Sequence, residues 1–142
     1  MTYKTEQEQF WSGNFGTEYI QRNKGDQLVA SNLNFFSKAF DKIEPIDSVV
    51  EFGANVGMNL KALKLLYPHQ EQYAVEINPD AAKELAQLID GKNIFNGSIL
   101  DFVPAKKTTL SLIKGVLIHI NPEVLQDVYT RLYEASKKYI LI

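Results

Sequence analysis

A glycine-containing segment after a short apolar run is the first feature of this sequence able to bind a ligand. The segment, residues 51–57 of sequence EFGANVG, starts with an acid and places two glycines four positions apart. Glycines at such spacing let the backbone turn sharply and approach a ligand where a Cβ would collide with it. The residues we assign to this contact are Glu51, Gly53, Ala54, Asn55 and Gly57.

A second acid, Glu76, ends another apolar run about 20 residues beyond the glycine turn, and Ile77 follows it. A carboxylate at this position can accept hydrogen bonds from both hydroxyls of a ribose. We therefore assign Glu76 and Ile77 to a nucleoside site. A dinucleotide fingerprint requires glycine where Asn55 and Met58 stand, which disfavours NAD.

Strand and helix patterns alternate along the chain and indicate how these residues are positioned. Helical spacing of apolar residues covers residues 27–43, and helix starts are expected at Gly57, Asn78-Pro79 and Asn121-Pro122. Apolar, β-prone runs predict strands over residues 47–52, 72–77, 93–96, 109–113 and 139–142.

Such alternation predicts an α/β fold with a Rossmann-like, doubly wound and mostly parallel sheet of about five strands. Ligands of such sheets bind beyond the carboxyl ends of the strands. The length of 142 residues predicts a single domain, with an N-terminal helical cap over residues 1–45 and a Rossmann-like core over residues 46–142.

Composition narrows the classes of partner. The chain has no cysteine, a net charge of −2 and no basic stripe, which predicts no structural zinc and no nucleic-acid partner. Its apolar runs are too short to cross a bilayer, and the polar N-terminus lacks a secretion signal. The expectation is a cytoplasmic protein that acts on a small molecule, without a metal ion or a membrane partner.

The order of these segments resembles the class I methyltransferases, which use S-adenosylmethionine (SAM). Residues 51–57 are similar to the first family motif, E/D-x-G-x-G-x-G, with Asn55 at the middle glycine. In that family the segment after the third strand lines the adenine pocket, which implies this role for Ser98 and Ile99. The segment after the fourth strand walls the methyl-donor side, which implies that Lys114 and Gly115 lie near the methionine part.

A narrower resemblance joins residues 10–23 and 114–122 to the bacterial methylases associated with pseudaminic acid biosynthesis. It implies a bacterial enzyme that methylates a small molecule, such as a sugar or surface-glycan precursor. In residues 10–23, Trp11, Phe15 and Tyr19 can cover a ligand pocket while Arg22 pairs with a carboxylate. Alternatively, the same aromatic residues pack against the edge of the sheet.

His119 is a histidine close to the predicted site. Imidazole is suited to act as a general base toward a hydroxyl or an amine at neutral pH. The alternative is that His119 only fills the wall of the pocket.

The chain ends at Ile142, on the fifth predicted strand, whereas the family continues with a helix and a β-hairpin. This predicts an apolar strand edge, open to self-association. Three functions follow as alternatives: a small-molecule methyltransferase, a non-catalytic SAM-binding or interaction module, or a Rossmann-like enzyme for NAD or a decarboxylated SAM analogue.

Overall fold

The computed structural model describes residues 2–142, which form a five-stranded parallel sheet flanked by helices. The helices are α1 Glu6–Ser12, α2 Asn14–Arg22, α3 Asp26–Ala39, α4 Met58–Leu66, α5 Pro79–Leu85 and α6 Leu125–Ala135. The strands are β1 Ser48–Phe52, β2 Glu71–Glu76, β3 Ile94–Asn96, β4 Thr108–Leu112 and β5 Ser136–Leu141. Short 3₁₀ turns lie at Gly91–Asn93, Ile99–Asp101, Leu117–His119 and Pro122–Val124. The predicted Rossmann-like α/β fold with N-terminal helices is confirmed.

The strand order β3-β2-β1-β4-β5 places β1 at the centre of the sheet. Val50 of β1 lies opposite Tyr73 of β2 on one side and opposite Ser111 of β4 on the other. The chain therefore moves outward from β1 through β2 to β3, and then returns to the other side of β1 for β4. This reversal opens a crevice at the carboxyl ends of β1 and β4, where the loops leave in opposite directions.

Two apolar cores hold the helices against opposite faces of the sheet. Val49 of β1 belongs to the core formed with Phe36 of α3 and Leu63 of α4. Its neighbour Val50 belongs to the other core, with Val128 of α6. Successive residues of a strand point to opposite faces, so a strand buried on both faces consists of apolar residues almost throughout. That property made β1 recognisable in the sequence.

Several element boundaries differ from the predicted ones. Helix α3 ends at Ala39 instead of residue 43, because Phe40 turns into the core while its N–H still bonds to the Phe36 carbonyl. Helix α5 ends at Leu85, whose carbonyl accepts the N–H groups of two later residues in a tightened turn. Strand β5 starts at Ser136, three residues before its predicted start, and it forms one edge of the sheet.

Residue 1 of the predicted N-terminal cap lies outside the described residues. Across residues 2–142, none of the helices has the length and hydropathy needed to cross a membrane.

Candidate functional site

A cavity of about 300 Å³ opens at the carboxyl ends of the central strands. We call it the strand-end cavity. It is lined by the loops that follow β1, β2, β3 and β4, by helices α1 to α3, by the start of α4 and by a residue of α6. The predicted site residues that line it are Gly53, Ala54, Asn55, Glu76, Ile77, Ile99, Lys114, Gly115 and His119. The predicted residues outside its lining are Arg22, Glu51, Gly57 and Ser98.

The loop after β1 is held against the end of β2. The backbone N–H groups of Gly53 and Ala54 both donate to the Val75 carbonyl, at 2.8 and 3.1 Å. Asn55 has a φ of 50°, in the left-handed region that asparagine tolerates better than most residues. Its N–H donates to Oε2 of Glu76 at 2.7 Å. Asparagine thus occupies the middle glycine position of the motif without opening the turn.

Glu76 is the buried acid of this site, with 7% of its surface exposed. Its Oε1 accepts from the backbone N–H of Asn78 at 2.7 Å, while Oε2 accepts from Asn55. Burial raises the pKa of Glu76, and these two backbone donors oppose that rise. A carboxylate oxygen can accept more than one hydrogen bond, so each oxygen retains acceptor capacity toward the cavity.

The two glycines of the loop have different roles. Gly53 has a φ of 75°, and a Cβ there would lie 2.7 Å from Cγ2 of Val116. Gly57 has a φ of 84° and precedes α4, and a Cβ there would lie 2.6 Å from a methyl group of Leu85. Gly57 does not line the cavity and lets the start of α4 approach α5, while its predicted ligand contact stays a prediction.

Glu51 is only 1% exposed and does not itself line the cavity, and its predicted contact with the ligand stays a prediction. Asn59 of α4, which lines the cavity, donates its Nδ2 to Oε1 of Glu51 at 2.6 Å. Burial is the largest influence on this acid and raises its pKa to about 8. The nearby charge of Lys114 acts in the opposite direction. The hydrogen bond from Asn59 thus connects the buried Glu51 to a residue that lines the cavity.

Ser98 belongs to the turn after β3 and is not among the residues that line the cavity, although its partner Glu8 is. Its hydroxyl accepts the N–H of Leu100 at 3.0 Å and donates to the carboxylate of Glu8 in α1. The hydroxyl thus caps the turn Ile99–Asp101, and the predicted polar contact of Ser98 with adenine stays a prediction. Ile99, the apolar member of the predicted pair, does line the cavity.

Arg22 lies at the end of α2 and does not line the cavity. Its guanidinium lies over the rings of Phe15 and Tyr19, 5.7 and 5.9 Å from their centroids. These cation–π contacts hold the side chain against its own helix. The predicted pairing of Arg22 with a ligand carboxylate stays a prediction.

Helices α1 and α2 form a roof over the cavity, which we define as residues 4–23. Trp11 and Tyr19 line the cavity as the sequence indicated, whereas Phe15 is 37% exposed. Asn78 anchors the roof, because its Nδ2 lies 3.1 Å from the Trp11 carbonyl and 3.3 Å from the Gly13 carbonyl. Its Oδ1 caps α5 at the same time. Asn78 thus connects the roof to the loop that holds Glu76.

Gly16 of the roof allows this close approach. A Cβ there would overlap the Trp11 carbonyl oxygen and lie 2.8 Å from Nδ2 of Asn78. We expect Gly16→Ala to detach the roof, which increases hydrogen exchange of α1 and α2 and lowers the melting temperature by about 4–8 °C. The control is Gly91→Ala, since a Cβ at Gly91 meets nothing within 4 Å. Equal exchange in the two variants would show that the roof does not depend on this contact.

His119 lies in the short turn Leu117–His119 and lines the cavity. Its ring packs on Trp11 of the roof, with centroids 4.7 Å apart and an interplanar angle of 57°. The imidazole is therefore oriented by the roof and exposed to the ligand space.

Sequence reasoning missed the polar residues that the helices contribute to the cavity: Gln7, Glu8, Asn23, Asn32, Asn59 and Asn78. Asn78-Pro79 predicts only a helix start, and in the structure Asn78 both caps α5 and lines the cavity. For the other residues, the helical spacing in the sequence did not indicate that they would line a cavity. Within residues 2–142 no cluster of three or more acidic or histidine side chains is arranged to hold a metal ion.

Comparison with solved structures shows which known proteins share this fold. The sequence matches no family model and no curated protein. Among solved structures, magnesium protoporphyrin IX methyltransferase from Synechocystis, crystallised with bound SAM, has a TM-score of 0.68 and 16% identity. The fold is that of the class I methyltransferases. The match covers 96% of this chain and 75% of that enzyme.

Two further class I structures are similar. The mitomycin 7-O-methyltransferase MmcR has a TM-score of 0.72 and 17% identity, with 94% of this chain and 40% of MmcR covered. The sugar N-methyltransferase KedS8 from Streptoalloteichus has a TM-score of 0.63 and 11% identity, with 96% and 53% covered. This chain therefore spans about half the length, or less, of these two methyltransferases.

Proposed function

We propose that the strand-end cavity binds SAM and that the protein transfers its methyl group to a small-molecule acceptor. The observation that carries this proposal is the arrangement of Glu76. Both carboxylate oxygens are fixed by backbone N–H groups of Asn55 and Asn78, 2.7 Å away, beside a cavity at the strand ends. A rigid acceptor pair of this kind suits the two hydroxyls of a ribose.

The rest of the cavity fits the other parts of SAM. The apolar side chains of Ile77 and Ile99 suit the faces of a purine. Oδ1 of Asn59, which lines the cavity, and Oε2 of Glu51, whose other oxygen accepts from Asn59, are buried polar atoms without a partner among residues 2–142. The positively charged amino group of the methionine part donates to Oδ1 of Asn59 in this proposal, and its charge favours the ionised form of Glu51, which accepts as well. These unpaired atoms support a cationic ligand over a neutral one.

When bound, SAM supplies a methyl group that its positive sulfonium makes electrophilic. The contribution of the protein is to align an oxygen or nitrogen of the acceptor with that methyl group and to keep water out. The roof provides the cover, with Trp11 and Tyr19 over the cavity. His119, held against Trp11, takes the proton that the acceptor releases.

For the acceptor we propose a hydroxyl- or amine-bearing molecule, such as a sugar or surface-glycan precursor of a bacterium. The carboxamides of Asn23 and Asn32 line the cavity wall together with Tyr19, and they offer neutral hydrogen-bond donors and acceptors. The resemblance of residues 10–23 and 114–122 to methylases associated with pseudaminic acid biosynthesis points to the same class.

The test is a search for methyl transfer with purified protein, SAM and a panel of amino sugars and sugar nucleotides, detecting the S-adenosylhomocysteine formed. With the acceptor found, we expect His119→Ala to lower turnover by about 100-fold and to leave the affinity for S-adenosylhomocysteine unchanged. His69→Ala is the matched control, because His69 is exposed and lies outside the cavity lining.

Undiminished turnover of His119→Ala would contradict the base role, leaving His119 as a wall residue. Binding of S-adenosylhomocysteine without transfer to any acceptor would favour the alternative function, a non-catalytic SAM-binding module.

A further inference from the structure

Within residues 2–142, four buried side-chain polar atoms lack a partner: Oε1 of Gln7, Oε2 of Glu51, Oδ1 of Asn59 and Oγ of Ser111. Gln7 and Asn59 line the strand-end cavity, whereas Glu51 and Ser111 do not. The proposed function assigns the atoms of Glu51 and Asn59 to the amino group of the ligand. The atom of Gln7 belongs to the roof, and nothing in the proposed function accounts for it.

Gln7 lies in the first turn of α1, between two contacts that fix its position. Lys4 pairs with the carboxylate of Asp101, and Glu8 accepts from the hydroxyl of Ser98. Lys4 and Glu8, on either side of Gln7 in the sequence, both contact the segment Ser98–Asp101. Because one helical turn is only about 5.4 Å long, Gln7 lies close to that segment as well. Gln7 and Trp11, four residues apart on one face of α1, both line the cavity, so this face of the helix is directed toward it.

The turn after β3 has two polar side chains suited to recognising a base, and the same contacts already engage both of them. The hydroxyl of Ser98 is engaged by Glu8 and by the N–H of Leu100, and the carboxylate of Asp101 is engaged by Lys4. The amide oxygen of Gln7 is the buried acceptor that remains unpaired at this end. A buried acceptor without a donor is unfavourable, and a ligand N–H placed there would relieve the cost.

We propose that the amide oxygen of Gln7 accepts a hydrogen bond from the exocyclic amine of the purine, so that the roof determines which base the site accepts. This inference rests on the proposed binding of SAM. The ribose hydroxyls are satisfied by Glu76 at the end of β2, and the purine lies beyond them, next to Ile99. A 6-amino purine places a donor opposite Gln7, whereas a 6-oxo purine places an oxygen there, and two acceptors repel each other.

The test compares two ligands by calorimetric titration of the full chain: S-adenosylhomocysteine and its 6-oxo analogue, S-inosylhomocysteine. We expect the protein to bind the adenosine compound at least about 10-fold more tightly, the effect of one buried hydrogen bond. Gln7→Leu should lose about 10-fold in affinity for the adenosine compound and most of the preference. Gln7→Glu, which keeps the acceptor oxygen, should retain the preference.

Gln9→Leu is the matched control, because Gln9 belongs to the same helix but is exposed and outside the cavity lining. If Gln7→Leu binds both ligands as the unsubstituted protein does, the role of Gln7 is wrong while the proposed SAM site stands. If the unsubstituted protein binds neither ligand, the proposed function fails, and this inference fails with it. Because α1 contributes no buried residue to the core, folding of the variants is expected to be preserved.

Discussion

Replacing Glu76 with alanine should lower the affinity for S-adenosylhomocysteine by about 100-fold or more. Each hydrogen bond to a charged group contributes about 1.5–3 kcal/mol, so losing two ribose contacts costs at least about 3 kcal/mol. The substitution also frees the N–H groups of Asn55 and Asn78, which now hold the carboxylate at 2.7 Å. Glu76→Gln, which retains one acceptor oxygen, should lose about 10-fold.

Glu71→Ala provides the matched control for this result. Glu71 lies on the same strand β2, at its opposite end, where its carboxylate is exposed and contacts Lys106. We expect Glu71→Ala to bind S-adenosylhomocysteine as the unsubstituted protein does. A comparable loss of affinity in both variants, or in neither, would contradict the assignment of the ribose contact to Glu76.

Glu51→Gln should stabilise the protein at alkaline pH. Burial raises the pKa of Glu51 from 4.5 to about 8, so the folded protein holds this proton more tightly than the unfolded chain. The resulting stabilisation is complete below pH 4.5 and is lost as the pH rises to about 8, by at most about 1.4 kcal/mol per pH unit. A neutral glutamine removes this dependence, and at pH 8 the gain is on the order of 4 kcal/mol.

Urea unfolding between pH 5 and pH 8 measures this difference, and Glu71→Gln serves as control. The pKa of Glu71 is lowered by its hydrogen bond with Lys106, so its contribution is present above its unfolded pKa and is lost only as the pH falls. The control should therefore parallel the unsubstituted protein over this pH range. Parallel curves for Glu51→Gln as well would show that Glu51 is not protonated in the folded state.

The loops at the strand ends were predictable because their geometry is local. A glycine turn after a buried strand, and an acid ending the next parallel strand, must meet at one edge of the sheet. That reasoning placed Gly53, Asn55 and Glu76 around one cavity, which they line. The resemblance to the class I methyltransferases implies the same place for Lys114, which lines the cavity because β4 adjoins β1 and its carboxyl end faces the same crevice.

The contribution of the roof was not predictable, since it depends on contacts between residues far apart in sequence. The hydroxyl of Ser98 bonds to Glu8, 90 positions earlier in the chain. Asn78 caps α5 with its side-chain oxygen, which leaves its Nδ2 free to donate to backbone carbonyls of the roof and hold α1 and α2 in place. Arg22 stacks on aromatic side chains of its own helix, a local contact that the sequence analysis did not consider.

Binding of SAM by the strand-end cavity is the central claim, and calorimetric titration with S-adenosylhomocysteine and with NAD tests it most directly. Glu76 and the loop after β1 predict one site that takes up S-adenosylhomocysteine with a dissociation constant in the micromolar range, about −8 kcal/mol, and that does not bind NAD. Binding of NAD in preference to S-adenosylhomocysteine, or binding of neither, would contradict the account.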